Sequence, residues 1–236
     1  IWSSLVGSEM CIRDSTTAAI VKKSLTATTS SSNKTYNGDA TATTTLSFSG
    51  LVGSETLGQS VSSTFNNKNV GTGKTVTVNS ITLSDGSNGG VASNYSISSG
   101  QTTTANITAK ALTVSGITAS NKTYDGNTVV NLDLTGTSYS GLVSGDDVSI
   151  SASGSFDNKN VGTGKTVNIS SSYSGSDVGN YSITDQATTT ANITASVSGI
   201  TVRGITASNK TYDGNNSATL DTSNVSYSGP VSYTHL

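Results

Sequence analysis

Between residues 16 and 229 the chain has no cysteine, histidine, methionine, tryptophan or proline. Each absence removes chemistry. Without cysteine there is no disulfide framework, no thiol nucleophile and no thiolate metal site. Without histidine the commonest general base and the commonest metal ligand are missing. Charge is scarce as well: Asp, Glu, Lys and Arg make up 11% of the 236 residues, against roughly 25% in an ordinary globular protein. The formal net charge of −2 offers no basic face to nucleic acid or to anionic lipid. No apolar run approaches the roughly 18 residues that a spanning helix needs. The sequence reads as a non-enzyme with no catalytic residue, cofactor or metal site, no nucleic-acid partner and no membrane span.

The five rare residue types occur once each, at the extreme ends: Trp2, Met10, Cys11, Pro230 and His235. The end segments IWSSLVGSEMCIRDS and PVSYTHL resemble stretches of metagenomic translations in which sequencing-adapter DNA has been read as protein. Residues 1–15 and 230–236 are expected to be non-native on that ground, although Leu5–Glu9 also recurs as Leu51–Glu55.

What is present is Ser, Thr, Asn and Gly, written as a repeat. NKTYNG places Tyr36, and NKTYDG places Tyr124 and Tyr212, at intervals of 88 residues. FNNKNVGTGKTV at Phe65–Val76 returns at Phe156–Val167 as FDNKNVGTGKTV, and TTTANITA at Thr102–Ala109 returns at Thr188–Ala195. The period divides the chain into a repeat tail at 16–27, a first repeat at 28–115, a second at 116–203 and the start of a third at 204–229. Within a repeat the pattern is that of strands. Val148, Ile150, Ala152, Gly154 and Phe156 alternate with serines, and Val76 and Val78, Ala105 and Ile107, and Val130 and Leu132 do likewise. Asp-Gly, Asn-Gly and Gly-Ser dipeptides punctuate the runs. The expected fold is all-β: tandem antiparallel, Ig-like β-sandwich modules of about 88 residues.

The ordered blocks KTYDG, FxNKNVGTGKTV, NY and TANITxKxL resemble the YDG domain. That family occurs in tandem in large bacterial surface and secreted proteins, including filamentous-haemagglutinin-like adhesins. The resemblance covers residues 16–229 and departs at Asn37, where the family has Asp, and at Ser196, where Lys110 has no counterpart. It implies an extracellular, cell-surface setting and supplies no catalytic residue.

The repeated motif Tyr36-Asn37-Gly38, Tyr124-Asp125-Gly126 and Tyr212-Asp213-Gly214 has two readings. A Tyr-Asp couple is a possible acid–base pair, yet Asn37 cannot exchange a proton at neutral pH. Asn and Asp share Asx-turn bonding and tolerance of left-handed backbone, so the motif reads as a structural turn, with the tyrosine ring on the core. GTGKT at Gly71–Thr75 and Gly162–Thr166 lacks the spacing and the following helix of a phosphate loop; it reads as a hairpin loop with its lysines in solvent. Asp146 and Asp147 are candidate Ca²⁺ ligands, but the matching part of the first repeat offers only Glu55, so no metal site is assigned. Tyr139, Tyr173 and Tyr227 are candidate ligand-contacting aromatics. The expected function is a spacer or stalk of a bacterial adhesin whose partners are neighbouring repeats. An adhesive module for host glycan or matrix protein is the alternative, and a polysaccharide hydrolase the third.

Overall fold

A computed structural model describes residues 19–196, 199 and 201–229. The segments expected to be non-native, 1–15 and 230–236, lie outside the described residues. Strand dominates; two single-turn 3-10 helices, Ala92–Asn94 and Val178–Asn180, are the only helical elements among the described residues. The described chain falls into two compact units. One runs to Lys34 and takes in Asp39–Thr108; the other takes in Thr35–Gly38 and everything from Ala109 onward.

Each unit is built on one five-stranded sheet. In the first, the order is Lys34–Thr35, Thr102–Thr108, Gly71–Asp85, Leu57–Phe65, Thr41–Ala42; in the second it is Lys122–Thr123, Thr188–Thr194, Gly162–Ser174, Ser149–Phe156, Val129–Val130. The long central strands pair antiparallel; Leu57–Phe65 with Gly71–Asp85 and Ser149–Phe156 with Gly162–Ser174 do so as hairpins. Several short pairings are parallel: Lys23–Ser24 lies parallel to Tyr95–Ser96, Lys122–Thr123 to Thr188–Thr194, and Lys110–Ser115 to Tyr181–Thr184. Parallel pairing needs a long crossover, and in each case the body of the repeat provides it.

The second layer is smaller. In the first unit it includes the ribbon Thr26–Ser31 with Thr44–Ser49. In the second unit the same pairing is split into Lys110–Ser115 with Ser138–Ser140, and Thr118–Ala119 with Leu132–Asp133. The inner face of the second five-stranded sheet carries Val130, Phe156, Val167, Ala191 and Ile193, and Ala119, Tyr124 and Leu132 pack onto that cluster. Val76, Val78, Phe65, Ala105 and Ile107 are the buried counterparts in the first unit. Full burial of a Val or Ile side chain contributes about 1.5–3 kcal/mol, so these few positions carry much of a lean core.

The alternation read at Val148–Phe156 holds. Gly154 and Phe156 are buried, while Ser149, Ser151, Ser153 and Ser155 face outward. The outward serines meet serines of the next strand: Ser151 and Ser172 hydroxyls are 2.8 Å apart, and Ser149 and Ser174 2.9 Å. The unit boundary at Thr108/Ala109 precedes the 115/116 cut drawn from the period. Lys110–Ser115 pairs on both sides with strands of the second unit, which places it there.

Candidate functional site

Each Tyr-Asx-Gly motif closes a corner around a lysine. The Lys122 ammonium lies 2.7 Å from an Asp125 carboxylate oxygen. It donates to the Asn127 side-chain oxygen at 2.8 Å and to the Val129 carbonyl at 2.9 Å. Asn127 N–H donates to Asp125 at 3.1 Å, which is an Asx turn. The third copy repeats this: Lys210 lies 2.7 Å from Asp213 and donates to Asn215 at 2.7 Å, and Asn215 N–H donates to Asp213 at 3.1 Å. In the first copy the acid has moved two residues along. Asn37 stands at the tip, and Asp39 takes the Lys34 ammonium at 2.8 Å and the Thr41 N–H at 2.8 Å. Every corner therefore keeps one lysine and one carboxylate, although the motif's own acidic position is vacated once.

These bonds set the protonation states. The lysine hydrogen bond holds the Asp39, Asp125 and Asp213 carboxyls below the ordinary carboxylate range, with the turn hydroxyl or N–H adding to it. A carboxyl held ionised in an ion pair, with its pKa well below neutrality, is a weak base. Gly38, Gly126 and Gly214 have φ of +88°, +82° and +80°, the left-handed region that the turn demands and that glycine enters without strain.

The three tyrosines have different surroundings. Tyr36 is 1% exposed, Tyr124 is half-buried on the core cluster, and Tyr212 is 92% exposed. Tyr36 sits in a cleft of the second unit made by Val143, Asp146 and Tyr181. Its hydroxyl donates to Asp146 Oδ2 at 2.8 Å; the Tyr181 hydroxyl donates to the same oxygen at 2.5 Å and accepts the Val143 N–H at 3.0 Å. The two rings meet edge to face, with centroids 5.6 Å apart and planes at 76°, a preferred aromatic geometry. Burial, then the bond to the Asp146 carboxylate, pushes the Tyr181 hydroxyl up to about 12. Gly38 is tightly covered: a Cβ there would lie 2.7 Å from Val143 Cγ1.

The same cleft recurs in the first unit. Tyr95 donates to the Glu55 carboxylate and accepts the Val52 N–H at 3.1 Å; the Glu55 bond raises its pKa. Two tandem units with matching sheets, corners and clefts are what a repeated module produces. Residues 21–105 and 108–191 each match the YDG domain. The chain belongs to the YDG domain family. Neither the curated proteins nor the solved structures contain a match to it.

In both YDG domains the GTGK segment is a β-bulge rather than a hairpin tip. The register shifts between Gly71 and Lys74, and between Gly162 and Lys165. The amide N–H groups a phosphate would need are engaged: Gly73 donates to Asn106 at 2.8 Å and Gly164 to Asn192 at 2.7 Å. The lysines are not in solvent. Lys74 donates to Asn67 at 2.6 Å, and Lys165 to Asn158 at 2.7 Å while pairing with Asp157 at 3.0 Å. They fold back because the loop supplies oxygen acceptors along its length.

Asp146 and Asp147 serve different ends. Asp146 receives the tyrosine hydroxyls, whereas Asp147 accepts the Ser176 N–H at 3.0 Å. Among the described residues no group of three or more His, Cys, Asp or Glu is placed to hold a metal. Tyr139 and Tyr173 are half-buried and Tyr227 is exposed. Tyr173 donates to Asp185, and burial followed by that bond pushes its hydroxyl up to about 12. Sequence reading missed the Glu55 and Asp146 cleft. The signal was present: Glu55 precedes Asp146 by 91 residues, the interval that also separates Phe65 from Phe156.

Proposed function

We propose that these YDG domains are structural spacer repeats of a bacterial cell-surface or secreted adhesin, holding another part of that protein away from the cell. One observation carries the reading: the corner's reactive-looking groups are used up in shaping the backbone. Lys122 is engaged by Asp125, Asn127 and Val129, and the depression of about 280 Å³ beside it is lined by those same groups. A spacer requires firm corners and wettable outer faces, and serine and threonine supply the faces. The absence of cysteine from residues 16–229 suits passage through an oxidising compartment without mispaired disulfides.

Two measurements test this. The full chain, applied to a glycan array and to immobilised matrix proteins, is expected to bind none of them. Saturable binding that is lost in Tyr227→Ala replaces the spacer with an adhesive module. Protease treatment of intact producing cells is expected to release YDG peptides; release only after lysis refutes the surface setting.

A further inference from the structure

Two Asn-Gly pairs occur in the chain, Asn37-Gly38 and Asn88-Gly89. Asn-Gly is the dipeptide that loses its asparagine amide most easily, because glycine has no side chain to obstruct its backbone nitrogen as it approaches the asparagine Cγ. The reaction also needs that nitrogen unengaged and the turn able to rotate. The fold treats the two pairs differently.

Asn88-Gly89 is the tip of the loop that follows Gly71–Asp85. The Gly90 N–H donates to the Ser87 carbonyl at 3.2 Å, and φ is +55° at Asn88 and +84° at Gly89. These are the features of a type I′ turn, for which Asn-Gly is a preferred pair. The ends of the loop are clamped: a Cβ on Gly86 or Gly90 would fall 2.0 or 1.9 Å from the Thr56 carbonyl oxygen, and the Thr56 N–H donates to the Ser87 carbonyl at 3.1 Å. The tip is open. Asn88 and Gly89 are exposed, nothing lies within 4 Å of where a Cβ on Gly89 would sit, and the Gly89 N–H has no acceptor among the described residues. One bond holds the Asn88 amide, from Nδ2 to the Ser54 carbonyl at 3.0 Å. Asn37 is exposed as well, but Gly38 is seated against Val143, whose Cγ1 is 2.7 Å from where a Cβ would sit. Rotation of that peptide runs into valine.

We propose that Asn88 is a site of spontaneous deamidation and that the seating of Gly38 shields Asn37 from the same reaction. The Gly89 backbone nitrogen gives its proton to solvent base and attacks Asn88 Cγ. The Cγ–Nδ2 bond breaks, Nδ2 takes up a proton and leaves as ammonia, and a succinimide ring remains. Water then adds to one of the two ring carbonyls and opens the ring, giving aspartate by one cleavage and isoaspartate by the other. Both products lose the Nδ2 donor that holds the Ser54 carbonyl and carry a carboxylate instead; isoaspartate also adds a methylene to the backbone. The tie from this loop to the segment that bears Val52 and Glu55 is thereby cut.

Ageing the whole chain tests this. Protein held at body temperature and mildly alkaline pH is sampled over time, digested with trypsin beside a fresh sample, and read by tandem mass spectrometry for the replacement of amide NH2 by OH. The gain is expected first at Asn88, faster than at Asn37 by about tenfold or more, the rate equivalent of crowding a packed valine. Asn79 and Asn106, followed by Ser80 and Ile107 within strands, are internal references expected to stay intact. Mildly acidic buffer, which leaves the attacking amide protonated, is expected to slow the gain at Asn88. Val143→Ala, checked for folding by circular dichroism, is expected to raise the rate at Asn37 and leave that at Asn88 unchanged; an unchanged Asn37 rate removes the valine shield. Hydrogen exchange in peptides spanning 51–56 is expected to be faster in aged protein and in Asn88→Asp than in fresh protein. Conversion at Asn88 no faster than at Asn79 or Asn106 overturns the proposal, as does conversion at Asn37 as fast as at Asn88.

Discussion

Substituting the motif tyrosine by alanine in each of the three copies is expected to give three different results. Tyr36 is 1% exposed, Tyr124 half-buried and Tyr212 92% exposed. A buried tyrosine covers roughly 150–250 Å², which at about 25 cal/mol per Å² amounts to about 4–6 kcal/mol; measured aromatic-to-alanine changes in cores run about 3–5 kcal/mol. Tyr36→Ala is accordingly expected to destabilise by about 4 kcal/mol, Tyr124→Ala by about half of that, and Tyr212→Ala by less than about 0.5 kcal/mol. Tyr36→Phe keeps the ring and loses only the bond to Asp146, an expected loss of about 1.5 kcal/mol. Tyr212→Phe is expected to change nothing. Urea unfolding followed by far-ultraviolet circular dichroism gives the values. Hydrogen exchange read by mass spectrometry locates the Tyr36 effect, expected in peptides spanning Asp146 and Tyr181. Equal losses at Tyr36 and Tyr212, or a Tyr36→Phe protein as stable as the parent, would refute the cleft as a source of stability.

Gly38→Ala meets left-handed backbone and a valine methyl at 2.7 Å, whereas Gly126→Ala meets only the backbone strain, at φ +82° in open space. The first is expected to lose about 2–3 kcal/mol and the second about 1 kcal/mol in urea midpoints; equal losses would remove the valine contact from the account. The corner carboxyls Asp39, Asp125 and Asp213 are held below their ordinary range by lysine, so they favour the folded state above the unfolded value near 3.8. That contribution disappears as pH falls through the depressed folded values. Urea midpoints are expected to be level from neutrality to about pH 5 and to fall below about pH 4, with a smaller fall in Lys122→Met. The Tyr181 hydroxyl, raised to about 12, acts in the opposite direction: its contribution is complete below the ordinary value of 10 and is lost as pH rises toward 12. Ultraviolet titration of tyrosinate is expected to lose a late-ionising group in Tyr181→Phe; an unchanged late phase would contradict the assignment.

Local physics made much of the fold readable. Alternation at Val148–Phe156 marked a half-buried strand because successive side chains on a pleated backbone point to opposite faces, and Phe156 is indeed inside and Ser155 outside. The Asx-Gly corners were readable because turn bonding acts over two residues: the Asn127 N–H reaches Asp125, and glycine alone enters φ +82° without strain. The lysine at the centre of each corner sits only three to seven residues from its partners, yet reading the motif as Tyr-Asx-Gly left it out.

What the amino-acid order determined by itself was the period, which is written out as recurring blocks, and the strand character and the corners, which depend on neighbours within a few residues. Where one unit ends was decided in three dimensions, because a repeating pattern defines an interval and leaves its phase free until strands such as Lys110–Ser115 choose their partners. The different surroundings of Tyr36, Tyr124 and Tyr212 were likewise decided there. Tyr36 and Asp146 are 110 residues apart, and only the folded backbone brings the hydroxyl to the carboxylate.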